Sequence, residues 1–166
     1  MRDLFLKIPP SLKWAALALL LIILFFYSFI RSSLPDLSGQ KLIAPLNQSV
    51  LIERDAQGIP TIRAKNREDT AFALGYVHAQ ERYFQMDLLR RSAAGELSEL
   101  FGKGALAEDR KVKIHRFRER ARKIYRRLPK KHYAILQSYT TGVNVGLDNL
   151  SGFPFQYQML GQKPQH

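Results

Sequence analysis

Residues 14–30, WAALALLLIILFFYSFI, contain no charged side chain. An α-helix rises ~1.5 Å per residue, so this segment spans about 25 Å as a helix. The hydrocarbon core of a bilayer requires ~17–25 apolar residues. Lys13 and Arg31 bracket the segment and can reach the two interfaces, where Trp14 is also favoured. A core helix of a soluble protein would carry polar positions, so the segment is predicted to be a transmembrane helix.

A cleaved signal peptide is the competing interpretation of the same segment. Its apolar region typically has ~7–15 residues and ends in a small-x-small cleavage site. Here the run is longer and no Ala-x-Ala pattern follows it, which favours an uncleaved signal anchor. Arg2, Lys7 and Lys13 precede the span, and only Arg31 follows it closely. The positive-inside rule then places residues 1–13 in the cytoplasm. In a bacterium the protein would cross the inner (plasma) membrane once, with its bulk periplasmic or extracellular.

The net charge of +12 is concentrated in one part of the chain. Residues 110–131, here named the basic segment, contribute +11, from twelve Lys/Arg against the single acid Glu119. Residues 1–31 contribute +3, and the remaining residues −2. The basic segment is either the solvated face of a helix or a surface for an anionic partner. Nucleic acid is not expected as that partner, because the segment lies outside the cytoplasm in the predicted topology.

Turn residues and periodicity divide the rest of the chain. Residues 31–49 are predicted to be a linker, because Ser, Pro and Gly interrupt any period. Residues 50–64 predict a β-hairpin with its turn at residues 55–58 and with Pro60 at an edge or a strand start. A long helix is predicted over residues 67–92, with Asn66 as its N-cap and Asp69 at the N3 position.

Further helices are predicted beyond residue 95. A short helix over residues 96–101 ends at Gly102, and residues 106–110 are predicted to be a loop. An amphipathic helix is predicted over residues 110–128, and Pro129 opens another helix that runs to about residue 149. The apolar stripe of the amphipathic helix consists of Ile114, Phe117, Ala121, Ile124, Tyr125 and Leu128.

No complete catalytic or metal-binding motif is present in the sequence. Absence of cysteine excludes a disulfide framework, a thiolate zinc site and a cysteine nucleophile. Residues 102–107 match GxGxxA, but a helical segment rather than a strand precedes them. The pairs His78/Glu81 and His115/Glu119 lack a third metal ligand, so each histidine is expected to be exposed or hydrogen-bonded. Glu96 and Glu99 are expected to be a solvated pair.

Four motifs follow one another between residues 54 and 164. They are RDAQGIPTIRA (54–64), AFALGYVHAQERYFQMDLLRRSAAGELSELFGKG (71–104), SYTTGVN (138–144) and LGQKP (160–164). In order and spacing they resemble the N-terminal part of the A-chain of the penicillin acylase (penicillin amidase) family of N-terminal-nucleophile amidohydrolases. Thr61 stands where this family often has His, and Glu81 where it often has Asp.

The resemblance implies a fold class and an activity. The fold would be α+β: an N-terminal transmembrane helix, then a mainly helical fragment with a β-hairpin over residues 50–166, part of an Ntn-hydrolase αββα sandwich. The family hydrolyses carbon–nitrogen bonds in linear amides. Its precursor cuts itself and exposes an N-terminal serine on a B-chain, whose α-amine, with a pKa of ~7.7–8.0, can act as the base. The remainder of the A-chain and the B-chain would be partners, and calcium is expected for a full-length member.

The same resemblance carries over no catalytic, cofactor-binding or metal residue to this chain. The family's nucleophile and oxyanion residues belong to the B-chain, and the A-chain calcium ligand lies beyond the LGxKP motif. The isolated chain is therefore expected to be inactive and to contain no cofactor. Five residues are carried over only as members of packing ion pairs: Arg54, Asp55, Arg82, Arg90 and Arg91.

Two other functions stay open at the level of sequence. One is a non-enzymatic, membrane-anchored protein that binds anionic lipid, polysaccharide or nucleic acid through the basic segment. The other is a non-functional remnant of a gene. The acyl substrate of the family enzyme also stays open among penicillin, acyl-homoserine lactone and other N-acyl amides.

Overall fold

The computed structural model describes residues 9–166, so most of the predicted cytoplasmic segment 1–13 lies outside the described residues. Its first helix, α1 (Pro10–Ser32), contains the predicted span. An 18-residue window within residues 11–32 has a mean hydropathy of 2.2, and none of that window is buried inside the protein. Length and composition make α1 a candidate membrane span.

A two-stranded antiparallel hairpin follows the linker. Strand β1 (Leu51–Arg54) pairs with β2 (Pro60–Arg63), with Leu51 opposite Arg63. The Asp55 carboxylate accepts hydrogen bonds from the backbone amides of Gln57 and Ile59, at 3.0 and 2.8 Å. Gly58, at φ +80°, supplies the left-handed residue of the turn. The predicted hairpin is confirmed, and Pro60 begins its strand as expected.

The longest helix is α2 (Arg67–Ala94), which was predicted over residues 67–92. The Asn66 side chain caps its first turn by accepting a hydrogen bond from the Asp69 amide at 2.7 Å. The helix bends at Arg82, whose φ of −148° and ψ of 27° are not helical. Gly95 ends it in the left-handed conformation, with φ +69°.

Helix α6 (Lys130–Asp148), predicted to end near residue 149, packs along α2. Glycines bring the two backbones together: Gly75 faces the Tyr139 carbonyl, Gly142 the Phe72 carbonyl and Gly146 the backbone of Tyr76. From the Phe72–Gly142 contact to the Tyr76–Gly146 contact both helices advance by four residues, so α2 and α6 run in the same direction. The buried residues of the core beside this crossing are Ala79, Tyr83, Leu100, Val143, Leu147 and Tyr157.

The segment between α2 and α6 differs from its prediction. Helix α3 (Ser98–Phe101) and a 3-10 turn (Gly102–Ala105) lead into helix α4 (Leu106–Lys113), so the predicted loop over residues 106–110 is wrong. Glu108 and Asp109 lie in the first turn of α4, where acidic side chains interact favourably with the positive end of the helix dipole.

The predicted continuous helix over residues 110–128 is also wrong. It is broken at residues 114–116, and helix α5 covers only Phe117–Tyr125. Arg116, with φ +52°, turns the chain between α4 and α5. The apolar spacing continues across this break, which is why periodicity alone could not locate it. Helix α7 (Phe155–Leu160) was not predicted, although Pro154 precedes it and Gly161, at φ +63°, ends it.

Candidate functional site

A buried cluster of polar side chains surrounds Asp87, on the C-terminal half of α2. The Asp87 side chain is 1% exposed and that of Arg91, one turn later, is 3% exposed. One Asp87 oxygen accepts hydrogen bonds from Arg91 Nε at 2.8 Å and from the Tyr157 hydroxyl at 2.6 Å, and the other accepts from Arg90. These hydrogen bonds satisfy both carboxylate oxygens inside the protein.

The cluster joins four parts of the chain. Arg91 also donates to Glu99 of α3, and the Tyr83 hydroxyl donates to the backbone carbonyl of Gln165. Tyr157, which is fully buried, belongs to α7. The polar core of the cluster therefore fixes α3, α7 and residue 165 against α2.

Burial and hydrogen bonding set the charges within this cluster. Burial alone would raise the pKa of Asp87, but the hydrogen bonds from Tyr157, Arg91 and Arg90 outweigh it and hold the pKa below its usual value. Burial raises the pKa of Tyr157, and its hydrogen bond to Asp87 raises that pKa further. Burial likewise raises the pKa of Tyr83. An ionised carboxylate between protonated phenols and guanidinium groups has no proton to exchange near neutral pH, so the cluster stabilises structure.

A second buried carboxylate, Asp69, holds the linker against α2. Its two oxygens accept hydrogen bonds from the backbone amides of Asn47 and Gln48, at 2.9 and 3.0 Å, and from the Asn66 side chain. Burial would raise the pKa of Asp69, but these hydrogen bonds outweigh it and lower the pKa. The capping pattern predicted the Asn66 contact, but the contacts to residues 47 and 48 are not visible in the sequence.

A third buried carboxylate, Asp109 of α4, caps α3. It accepts hydrogen bonds from the backbone amides of Leu97 and Ser98, both at 2.8 Å. Backbone amides at the start of a helix have no intrahelical acceptor, and the Asp109 carboxylate supplies one for these two amides of α3. Burial acts to raise the pKa of Asp109, and the hydrogen bonds from Ser98 and Leu97 lower it on balance.

The histidines named from the sequence contact aromatic residues. His78 Nδ1 is 2.9 Å from the Tyr139 hydroxyl, while Glu81 forms an ion pair with Arg54. His115 stacks on the Phe117 ring, with centroids 5.2 Å apart. Within residues 9–166, no group of three or more His, Asp or Glu side chains could hold a metal ion.

The glutamates expected to be a solvated pair each bind an arginine. Glu96 pairs with Arg118 of α5, and Glu99 pairs with Arg91. The Glu99 side chain is 55% exposed, as expected for a solvated residue, whereas that of Glu96 is 22% exposed. The residues matching GxGxxA form the 3-10 turn and the start of α4, with no strand before them, as the sequence indicated.

Four of the five residues assigned to packing ion pairs form them. Arg54 binds Glu81 at 2.8 Å, Arg82 lies 3.6 Å from the same carboxylate, and Arg90 and Arg91 bind Asp87. Asp55 is the exception, because its carboxylate accepts the backbone amides of the hairpin turn. An acidic residue four positions before Arg91 was the available signal for Asp87, whereas no local pattern indicated Tyr157.

The three buried carboxylates predict acid sensitivity. The pKa of each is lowered by folding, so each contributes stability above its unfolded pKa of ~3.9, and that contribution is lost as pH falls through the folded pKa. We expect the urea midpoint, followed by far-UV circular dichroism in detergent, to fall steeply below about pH 4 as these carboxylates become protonated. An Asp69→Asn variant should show a shallower decrease, and an equal decrease would contradict this assignment.

Known proteins are similar to this chain in sequence. A family model described as penicillin amidase matches residues 49–166. The Penicillin acylase 2 proenzyme of Pseudomonas sp. (strain SE83) is 37% identical over 136 residues, which are 82% of this chain and 18% of that protein. The acyl-homoserine lactone acylase QuiP of Pseudomonas aeruginosa is 38% identical over 135 residues, 81% of this chain and 16% of that protein. The chain spans about a sixth of the length of these curated relatives.

A solved structure supports the same relationship. A thermostable penicillin G acylase from Alcaligenes faecalis superposes with a TM-score of 0.64 at 27% identity, over 72% of this chain and 66% of that chain. The family match covers the hairpin, the α2–α6 pair and all three buried carboxylates. This chain therefore belongs to the penicillin amidase family and corresponds to part of the N-terminal region of its members.

Proposed function

We propose that the chain supplies the N-terminal, membrane-anchored part of the A-chain of an amidohydrolase that cleaves linear N-acyl amide bonds. The nucleophile would be the N-terminal serine of a B-chain, and calcium would be bound by the complete enzyme. The observation that carries this proposal is the family match over residues 49–166. The relatives named above are penicillin and acyl-homoserine lactone acylases, so both substrate classes are to be tested.

The surface of the chain is consistent with an absent partner. Leu89 is 71% exposed, Met159 74% and Phe101 47%, although all three lie close in sequence to buried residues. The hairpin has only two strands, and in the described part of the chain no third strand pairs with either edge. Remaining parts of an αββα sandwich would cover these side chains and extend these strands. In this role the Asp87 cluster holds α3 and α7 in place for assembly.

An activity assay tests the amidohydrolase proposal. The purified 166-residue chain should not release product from phenylacetyl amides or acyl-homoserine lactones, because the proposed nucleophile belongs to another chain. If the reading frame continues beyond codon 166, the longer protein that it encodes should hydrolyse at least one of these substrates. Substitution of the B-chain serine by alanine is the control. Hydrolysis by the 166-residue chain alone would overturn the assignment of the nucleophile.

Anchoring by α1 is a separate proposal with its own test. We expect the chain to remain in the membrane pellet after alkaline carbonate extraction, with its N-terminal residues intact by mass spectrometry. The double variant Leu21→Arg/Ile23→Arg should be released, because each central arginine costs ~2.5–3.5 kcal/mol on insertion. Leu37→Arg, at an exposed linker position, is the matched control and should stay in the pellet. Loss of residues 1–30 from the mature chain would identify a cleaved signal peptide instead.

A further inference from the structure

The apolar stripe of the amphipathic segment lies on the surface. Ile114 is 80% exposed, Ile124 63% and Phe117 47%. Within the basic segment every residue is exposed except Val112, Arg118 and Leu128, which are half-buried. The spacing of the stripe predicts that it packs on a core. Tyr125 does pack on the Tyr133 ring, with centroids 4.9 Å apart, but Ile114, Phe117 and Ile124 are open to solvent. Such a helix requires an occupant for its apolar face.

Cations border this stripe on both sides. Successive residues of an α-helix are 100° apart, so Arg118 and Arg120 flank the line of Phe117 and Ile124 on opposite sides. Glu119, the single acid of the segment, already binds Arg116 and Lys123. Four arginines of α5 and the two residues after it form no ion pair with the part of the chain that the structure describes: Arg120, Arg122, Arg126 and Arg127.

We infer that α5 and its flanking residues lie in the interface of an anionic lipid bilayer, with the apolar stripe among the acyl chains and the arginines on lipid phosphates. An exposed apolar stripe bordered by Lys and Arg is the pattern of helices that lie in the membrane plane. A protein covering the same face would have to pair or bury the guanidinium groups of Arg120 and Arg127, which lie beside the stripe and have no acidic partner. A fluid anionic surface supplies phosphates to all of them without a fixed geometry.

Tethering makes this contact effective. The inference rests on the proposed anchoring by α1, which would keep the basic segment close to the bilayer and convert its binding into an intramolecular step. Lipid binding gains about fivefold per Lys or Arg near an anionic surface. Loss of the four unpaired arginines should therefore lower the ratio of docked to undocked α5 by a factor on the order of a few hundred.

The absence of cysteine allows a direct test with one label. An Ile124→Cys variant of the full chain, labelled with an environment-sensitive fluorophore, is reconstituted into nanodiscs of phosphatidylcholine alone or of equal parts phosphatidylcholine and phosphatidylglycerol. A headgroup-level spin-labelled lipid in the disc quenches a probe that is in the interface. Co-elution of the protein with neutral discs reports anchoring by α1 alone. A Leu89→Cys label, at an exposed site on α2, is the position control.

We expect quenching at position 124 only in the anionic discs, with loss of quenching at high salt. Changing the four unpaired arginines to glutamine should abolish quenching while the circular dichroism spectrum stays unchanged, because all four side chains are exposed. As the matched control, changing four exposed basic residues elsewhere to glutamine should leave the quenching unchanged: Lys41→Gln, Lys65→Gln, Arg67→Gln and Lys103→Gln. Equal quenching in the neutral and the anionic discs would show that lipid charge does not drive the docking of α5. Absence of quenching in anchored protein would overturn the inference and assign the stripe to a protein partner, whereas failure to co-elute would refute the anchor.

Discussion

Replacing Gly142 by alanine should destabilise the chain strongly, because the glycine lies against the backbone of α2. The added Cβ would lie 2.0 Å from the carbonyl oxygen and 2.7 Å from the carbonyl carbon of Phe72. These are backbone atoms of α2, so no side chain can rotate to make room and the helices must separate. Overpacking of this kind costs 1–3 kcal/mol and sometimes more, so we expect a loss of about 3 kcal/mol.

Equilibrium urea unfolding in detergent, followed by far-UV circular dichroism, measures this loss. Tryptophan fluorescence is unsuitable, because the single tryptophan, Trp14, lies in α1. Gly104→Ala is the matched control, since nothing lies within 4 Å of a Cβ there and its φ is not left-handed. That variant should be neutral or slightly stabilising. Equal midpoints for the two variants would mean that α2 and α6 are not in close backbone contact.

Changing Asp87 to asparagine should cost about 3–5 kcal/mol, the usual result of removing one partner of a buried ion pair. The substitution keeps the shape of the side chain but removes the charge opposite Arg91. The arginine is 3% exposed and would remain ionised, with only the largely exposed Glu99 to balance it. The Tyr157 hydroxyl would also lose its ionised acceptor. Helix α7 and residue 165 should therefore detach from α2 before the rest of the chain unfolds.

Two variants separate the charge from the surrounding packing. Tyr157→Phe removes one hydrogen bond to Asp87 and should cost less, about 1.5–3 kcal/mol. Glu53→Gln removes an exposed ion pair with Arg63 and should change stability by less than about 1 kcal/mol. Hydrogen exchange resolved by residue would show early loss of protection in α7 for Asp87→Asn. A cost for Asp87→Asn as small as that of Glu53→Gln would show that the cluster is hydrated rather than buried.

Local patterns predicted the elements whose signals lie within a few residues. The hairpin follows from the turn at residues 55–58, and the ends of α2 follow from the Asn66 cap and from Gly95. The start of α6 follows from Pro129. In each of these cases the backbone geometry is fixed by side-chain contacts or steric limits inside one turn, which a single sequence displays directly.

Two kinds of feature were not predictable in this way: contacts between residues far apart in the chain, and a helix break that local spacing does not show. The break at Arg116 preserves the apolar spacing, so the sequence predicted one helix where the structure has α4 and α5. Asp109 reaches the start of α3 from twelve residues away, and Tyr157 reaches Asp87 from seventy residues away. These contacts depend on how α2, α4 and α7 pack, which no local period reports.

Sequence alone determined the candidate span, the concentration of charge in the basic segment and the order of motifs that identifies the family. These are properties of composition and local order, and they do not depend on which residues meet in space. Tertiary structure decided which carboxylates are buried, which arginines have partners and whether the amphipathic stripe is covered. The physical reason is that desolvation and ion pairing depend on the neighbours that the packed helices bring together, often from distant parts of the chain.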